Sequence, residues 1–210
     1  MDKKRFIELW ERCAKSGVDA HAIDVFNRLQ EFYKQDHRFY HTPQHVQHCL
    51  NQVDLAEGEL SDADAVELAI WFHDVIYDPQ ARDNEWQSTE WFRQCADGIL
   101  SSELIEQVVR LILVTQHKNP PAKDDERFTV DVDLSGFALP WAEFIEESDA
   151  VRNEFSHQTD NDYAQRQIPF LQSLLNRDSI YSTEFFQKRY ELEARENITR
   201  KIQILENMLN

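Results

Sequence analysis

Between Leu68 and Tyr77 the sequence runs Leu-Ala-Ile-Trp-Phe-His-Asp-Val-Ile-Tyr, which sets an imidazole and a carboxylate inside a stretch that a fold must bury. A carboxylate taken out of water is strongly destabilising unless a proton, a cation or a metal neutralises it. Whatever the chain folds into has to bring a partner to His73-Asp74. Two segments offer one: Tyr40-His-Thr-Pro-Gln-His45 upstream and Asp131-Val-Asp133 downstream, the latter in another apolar stretch. The order His, His-Asp, Asp supplies two imidazoles and two carboxylates for one divalent cation. Isolated His-Asp pairs are ordinarily solvated or locally hydrogen-bonded; apolar residues on both sides set this pair apart.

The periodicity predicts helices almost throughout. Phe6, Leu9, Trp10 and Cys13 recur at helical spacing, as do Ile23, Phe26, Leu29 and Phe32. Thr42 followed by Pro43 reads as an N-cap and first helical residue, with His45 in the first turn of a helix through Val53. Ser61–Asp64 resembles a capping box that opens the helix carrying Leu68, Phe72, His73 and Ile76. Ser101 or Ser102 caps a very apolar helix through Thr115, which Pro120-Pro121 ends and which belongs in the middle of the bundle. Phe128–Leu134 alternates apolar and polar, the period of a strand, but no second strand exists to pair with it. A turn leading into a short helix is the better reading. Helices around Trp141–Phe155, Tyr163–Leu175 and Thr183–Leu209 complete a chain with four glycines, no repeat and no low-complexity linker. The expectation is one all-α domain over residues 1–210, a single-domain helical bundle.

The motifs also carry a family resemblance. Arg38-Phe-Tyr-His-Thr-Pro-Gln-His-Val46, His73-Asp74 and Val132-Asp-Leu-Ser135 together resemble the signature of the HD-domain superfamily of metal-dependent phosphohydrolases. Asp83–Ser88, Thr115–His117, Val151–Phe155 and Glu193–Asn197 look like a small branch of stand-alone HD proteins, predicted phosphohydrolases of about this length. The resemblance thus covers nearly the whole chain. It implies a bundle of the HD-domain type, with His45, His73, Asp74 and Asp133 as metal ligands. His45 takes the ligand place ahead of His41, because Val46 and Leu50 follow it at helical spacing. Asp133 takes it ahead of Asp131, because Leu134-Ser135 follow as in cyclic-nucleotide phosphodiesterases. His41 falls outside the helix that Pro43 begins and is expected to support a ligand.

Imidazole with carboxylate admits Mn, Fe, Zn, Ni or Mg as the divalent metal ion. Dinuclear members of the superfamily carry two further histidines before the last Asp. Here only His117 lies in that interval, so one ion is expected. His117 either holds a phosphate or a ligand carboxylate, or simply ends its helix near the negative pole of the macrodipole. Asp74 is expected to be essential for activity as well as for the metal. Glu85 and Asp78 follow the His-Asp helix where related hydrolases keep acids for water activation, though either also reads as a solvated loop charge. Arg38, Lys118, Arg152 and Arg195 are candidates for phosphate, or for surface carboxylates. His21, His37, His48 and His157 read as surface or helix-face residues, and Asp124–Glu126 as a solvated loop. Asp131-Val-Asp133 also matches a glycosyltransferase motif that nothing else in the chain supports.

Charge bounds the partners. Lys and Arg number 22 against 39 Asp and Glu, a net charge of −17. Long nucleic acid, bound mainly through phosphate neutralisation, is disfavoured. A small phosphorylated substrate is not, because a metal and a few placed cations act at short range within a screened field. The three scattered cysteines, Cys13, Cys49 and Cys95, read as small hydrophobes in a reducing compartment. With no apolar leader or membrane span, a cytoplasmic protein is expected, and a leftover apolar helix face would suit a homodimer. The expected function is metal-dependent hydrolysis of a phosphoester or pyrophosphate in a small nucleotide-like molecule. The alternatives are a non-catalytic metal or nucleotide sensor and an iron oxygenase of the HD type.

Overall fold

The computed structural model describes residues 1–209, which form ten α-helices and no strand among the described residues. They are α1 (Lys3–Cys13), α2 (Ala22–Tyr33), α3 (Pro43–Leu55), α4 (Ala63–Phe72), α5 (Asn84–Ala96), α6 (Ser102–Val114), α7 (Asp124–Asp133), α8 (Trp141–Glu154), α9 (Asp160–Leu175) and α10 (Glu184–Asn207). Short 3₁₀ turns follow α3 and α7, at Glu57–Glu59 and Leu134–Ala138. The architecture is an all-α, single-domain helical bundle. No described helix is long and apolar enough to cross a membrane.

α4 occupies the middle, where the sequence points to α6. Every residue of α4 from Ala65 to Phe72 is buried, and α1, α3, α5, α6 and α7 pack around it. A helix that is apolar all round has no face to give to water. α6 has an apolar stripe, Val108, Val109, Leu111 and Ile112, and lies beside α4 rather than at the centre. Aromatic rings fill the space between α1, α2, α4 and α5: Phe6 meets Trp71 edge-on at 5.2 Å and Phe72 meets Phe92 at 4.9 Å. The one acid within α4's buried run, Glu67, is neutralised by Arg5, whose Nε donates at 2.8 Å while its other nitrogens grip Asp54.

Helix ends follow local chemistry. Asp62 accepts from Ala65 N at 3.0 Å to open α4, one position into the expected capping box. Ser101 does the same for α6 through Leu104 N. α4 stops earlier than expected: His73 is its C-cap, and Ile76 lies beyond it. α5, which the periodicity did not single out, starts at Asn84 and takes Glu85 into its first turn.

The acidic run Asp124–Glu126, expected as a loop, is the first turn of α7. Acids suit the positive pole of a helix, and Glu126 accepts from Ala122 N and Lys123 N while Asp125 accepts from Ser61 N at 2.8 Å. The helix therefore begins four residues before the strand-like alternation Phe128–Leu134. That alternation misleads because its polar members are buried too. Thr129 donates to Asp125 O, and Asp131 accepts from Ser182 N, Thr183 N and Thr183 Oγ1, each at 2.7 Å. Asp131 thus fastens the start of α10 to the core. Burial pushes its carboxyl up to about 6 against the pull of these donors.

Asp131→Ala would strand buried amide donors, so it is expected to cost about 1–3 kcal/mol. Differential scanning calorimetry would read this as a thermal midpoint lower by roughly 2–4 °C for each kcal/mol. An unchanged midpoint would remove Asp131 from the structural role.

Candidate metal centre

Three helices meet at one point. α3 contributes His45 from its first turn, which Pro43 starts. His73 caps the C-terminus of α4 and Asp74 follows it; Asp133 is the last residue of α7. The two imidazoles are buried, and the carboxylate of each aspartate keeps a narrow opening, 14 % exposed for Asp74 and 16 % for Asp133.

The four donor atoms crowd together. His73 Nε2 lies 2.8 Å from Asp74 Oδ2 and 3.2 Å from His45 Nε2. His45 Nε2 stands 3.5 Å from Asp74 Oδ2, and each imidazole stands 3.6 Å from Asp133 Oδ1. One atom from each residue fits within 4.8 Å of the other three. Ligands about 2.1 Å from an octahedral ion are separated by about 3.0 Å when adjacent and about 4.2 Å when opposite. The observed spacings of 2.8–3.6 Å place the four groups close enough to share one ion.

Protonation sharpens the case. His73 Nδ1 lies 2.9 Å from Ile70 O, and a carbonyl only accepts, so Nδ1 carries the hydrogen. Neutral His73 therefore turns its Nε2 lone pair toward two carboxylates and a second imidazole. Two carboxylates and the His73 lone pair facing one another at a mostly buried site call for a proton, such as one on His45 Nε2, or a cation between them. Burial pulls His73 down, but the charge of Asp74 and the bond to Asp133 hold it well above the usual imidazole range. Burial likewise pushes Asp74 up, while His73, His41 and His45 hold it well below the usual carboxylate range. Protons on the imidazoles and a divalent cation thus compete for the same place. α4 and α7 end at the site and α6 ends three residues before His117, so three negative helix poles favour the cation further.

A second layer orients these groups. His117, at φ 53° in the left-handed region that L-residues rarely adopt, brings its Nε2 to 2.9 Å from Asp133 Oδ2. Of the readings open for His117, the geometry matches support of a ligand carboxylate. His41 lies outside α3, as expected, with Nε2 at 3.9 Å from Asp74 and Nδ1 at 2.7 Å from Glu154. Glu154 is the residue that sequence reasoning missed. Its side chain is fully buried, and it accepts from the backbone N–H of Phe39, Tyr40 and His41 and from Tyr77 OH. Burial pushes Glu154 up, but the bond and charge of His41 and the backbone donors bring it down to about 2. A signal was present: Phe144, Glu147, Val151 and Glu154 share one face of α8 at helical spacing, so two acids interrupt an apolar stripe.

The remaining candidates divide. Glu85 is half-buried, and burial raises its carboxyl, with the charges of Asp74 and Asp133 adding and that of Lys118 opposing. It therefore sits within electrostatic reach of the centre. Asp78 is exposed and pins its own loop, accepting from Gln80 N at 2.8 Å while Asn84 brackets its backbone. Lys118 is exposed and lines a cleft with Arg177 on one side of His117, where no described lining residue is acidic.

Arg38 and Arg152 depart from the phosphate-binding expectation. Arg38 is buried and spends its donors on the carbonyls of His41, Asp74 and Val75, fixing the chain that carries the ligands. Arg152 donates to Phe155 O, Gln158 O and Asp160, closing the turn between α8 and α9. Arg195 is similarly held by Glu191 and the carbonyls of Leu175, Arg177 and Asp178. His48, expected as a surface or helix-face residue, lies half-buried on α3 with Nε2 2.8 Å from Ser135 Oγ, and burial pulls it down to about 4. His21, His37 and His157 are exposed. Cys49 and Cys95 are buried and Cys13 half-buried, all free thiols, with Cys49 Sγ 3.7 Å from His45 Nε2.

A cavity of about 210 Å³ opens against Asp133, His41 and His117. Tyr40, Phe137 and Glu147 stand in its wall. Neither a protein-family model nor a curated protein matches the chain.

Two measurements test this geometry. Asp133→Ala is expected to abolish metal retention in equilibrium dialysis with Mn²⁺, whereas Asp131→Ala retains most of it; the reverse would shift the last ligand by two residues. Glu154 tests the surrounding layer. Its folded pKa of about 2 lies below the ordinary 4.5. Its stabilising contribution is therefore complete above the ordinary value and is lost as pH falls from there toward about 2. Glu154→Gln should flatten that part of the stability–pH curve, and a curve as steep as wild type would contradict the assignment.

Proposed function

We propose that this chain is a metal-dependent phosphohydrolase of the HD-domain type, acting on a phosphoester or pyrophosphate bond in a small nucleotide-like molecule. The observation that carries the reading is the convergence of His45, His73, Asp74 and Asp133 on one point that opens to a cavity. The resemblance of the four-part motif to HD-domain hydrolases supports the same assignment.

His45, His73, Asp74 and Asp133 hold one divalent ion in this reading. His45, His73, Asp74 and Asp133 are the one metal-capable group among the described residues, with His117 bonded to Asp133 and His41 to Glu154, which favours one ion over two. When bound, such an ion polarises a phosphoryl oxygen and lowers the pKa of water toward neutrality. The protein's own residues do the rest. Glu85, whose proton affinity is raised by burial and by the charges of Asp74 and Asp133, accepts the proton of the attacking water. Lys118 adds positive charge for the phosphate on the side of His117 away from the cavity wall. His117 steadies Asp133 through its second oxygen, and Glu154 steadies Asp74 through His41. Asp78, committed to its loop, is the weaker candidate for the proton.

Asp74→Ala is expected to lose both metal and turnover. Glu85→Gln is expected to keep the metal and slow hydrolysis by about 10²–10⁴-fold, the usual worth of general acid–base help. Metal content and turnover of a phosphoester panel, measured on the same preparations, check both. A wild-type rate in Glu85→Gln would transfer the role to Asp78, and metal retention without any turnover would favour a sensor.

A further inference from the structure

The cavity beside Asp133 has a chemical character of its own. Tyr40, Phe137, Phe144, Tyr163 and Phe170 make its walls aromatic. Phe137 lies 6.2 Å from Phe144 and 6.5 Å from Phe170, centroid to centroid, and both Phe137 and Phe170 remain partly exposed. Arg152, outside the cavity, places its guanidinium 5.0 Å from the Tyr163 centroid and so braces that wall.

Within these walls stands the carboxylate of Glu147. It is half-buried and forms no hydrogen bond or ion pair with any described residue. Burial raises its carboxyl above the ordinary range. The space around it depends on Gly136, where a Cβ would lie 3.2 Å from Glu147 Oε2 and 3.3 Å from Tyr40 OH. Gln167 lines the cavity as well, and no Lys or Arg does. The cleft with Lys118 and Arg177, across His117, has the opposite character: two cations and no acid among its described lining.

We infer that the aromatic cavity holds the organic part of the substrate, a flat nitrogen heterocycle offering N–H donors, and that Glu147 sets this specificity. Aromatic walls favour a stacked flat ring over an aliphatic chain. A carboxylate is acceptor-only, so its unfilled valences call for donors. An anionic group, such as a second phosphate or a carboxylate, would meet Glu147 with no cation to offset it. The inference rests on the hydrolase reading, because a phosphoester held at the metal centre brings its organic group against Asp133 and His41, which border both places.

Two assays on Mn²⁺-loaded protein test it. The first compares guanosine, adenosine and cytidine 5′-monophosphates, whose bases carry N–H donors, with ribose 5-phosphate. The second titrates the free nucleosides calorimetrically and needs no turnover. Wild type is expected to prefer at least one base-bearing ester to ribose 5-phosphate by about tenfold or more in kcat/KM. Glu147→Ala should lose most of that ratio and weaken nucleoside binding by a similar factor, the scale of one charge-assisted hydrogen bond. Glu147→Gln, nearly isosteric, gives the same comparison should the alanine variant not fold. Equal turnover of all four esters would overturn the inference and leave the hydrolase reading standing. Nucleoside binding that depends on Glu147, without hydrolysis of any ester, would support the cavity assignment and overturn the hydrolase reading. Neither turnover nor nucleoside binding would overturn both.

Discussion

Two mostly buried carboxylates and an imidazole lone pair turned toward one another are the constraint from which the rest of this structure follows. His73 gives its only neutral-state hydrogen to Ile70 O, so its lone pair faces His45, Asp74 and Asp133. Such an arrangement is repulsive unless a proton or a cation stands between the acceptors. The fold concentrates negative potential there instead of relieving it. α4 and α7 end at the site, and α6 ends just before His117, so backbone carbonyls add to the carboxylates. Elsewhere in the fold buried carboxylates are met by backbone N–H donors, as Asp131 and Glu154 are. Arg38 is close by, yet it donates only to carbonyl groups.

Rigidity around the centre comes from groups that touch it indirectly. Glu154 gathers three backbone N–H groups of Phe39–His41, the His41 ring and Tyr77 OH into one buried carboxylate, which ties α8 to the segment before α3. Arg38 clamps the same segment to the residues after α4. The candidate ligands on and after α3 and α4 are therefore held by a frame in which each donor has an acceptor, the condition under which a buried polar network stiffens a structure. Asp131, two residues from a ligand and fully buried, serves a different end by fastening α10. Two aspartates in one motif thus carry separate tasks.

The aromatic cavity and the basic cleft lie on either side of His117 and differ in charge and polarity. One has rings, an unpaired carboxylate and no cation; the other has Lys118 and Arg177 and no acid. A substrate with an uncharged ring at one end and a phosphate at the other matches this asymmetry. The overall charge of −17 does not prevent it, since the relevant fields act over a few ångströms.

Much of this was readable from the chain alone, and for local reasons. Helical spacing of apolar residues marked α1, α2, α3 and α6, and Pro43 marked the turn that carries His45. A carboxylate and an imidazole embedded between Phe72 and Val75 required a neutralising partner wherever the chain went; candidate donors flanked it at His41 and His45 and at Asp131 and Asp133, and the resemblance pointed to His45 and Asp133. What the sequence could not decide is which polar residues are buried by contacts distant along the chain. Glu154, His48 and Asp131 owe their roles to partners on distant connecting segments of the chain, and Arg38 and Arg152 turn to backbone carbonyls that no spacing rule reveals. The strand-like alternation at Phe128–Leu134 failed for the same reason: alternation implies a wet face, and tertiary packing left none. Residue type and period marked most of the helices, and together with the resemblance they pointed to the donor set. Only the convergence of helix ends determined the protonation, the supporting hydrogen bonds and the shape of the cavity, because each of these depends on atoms brought together from remote parts of the chain.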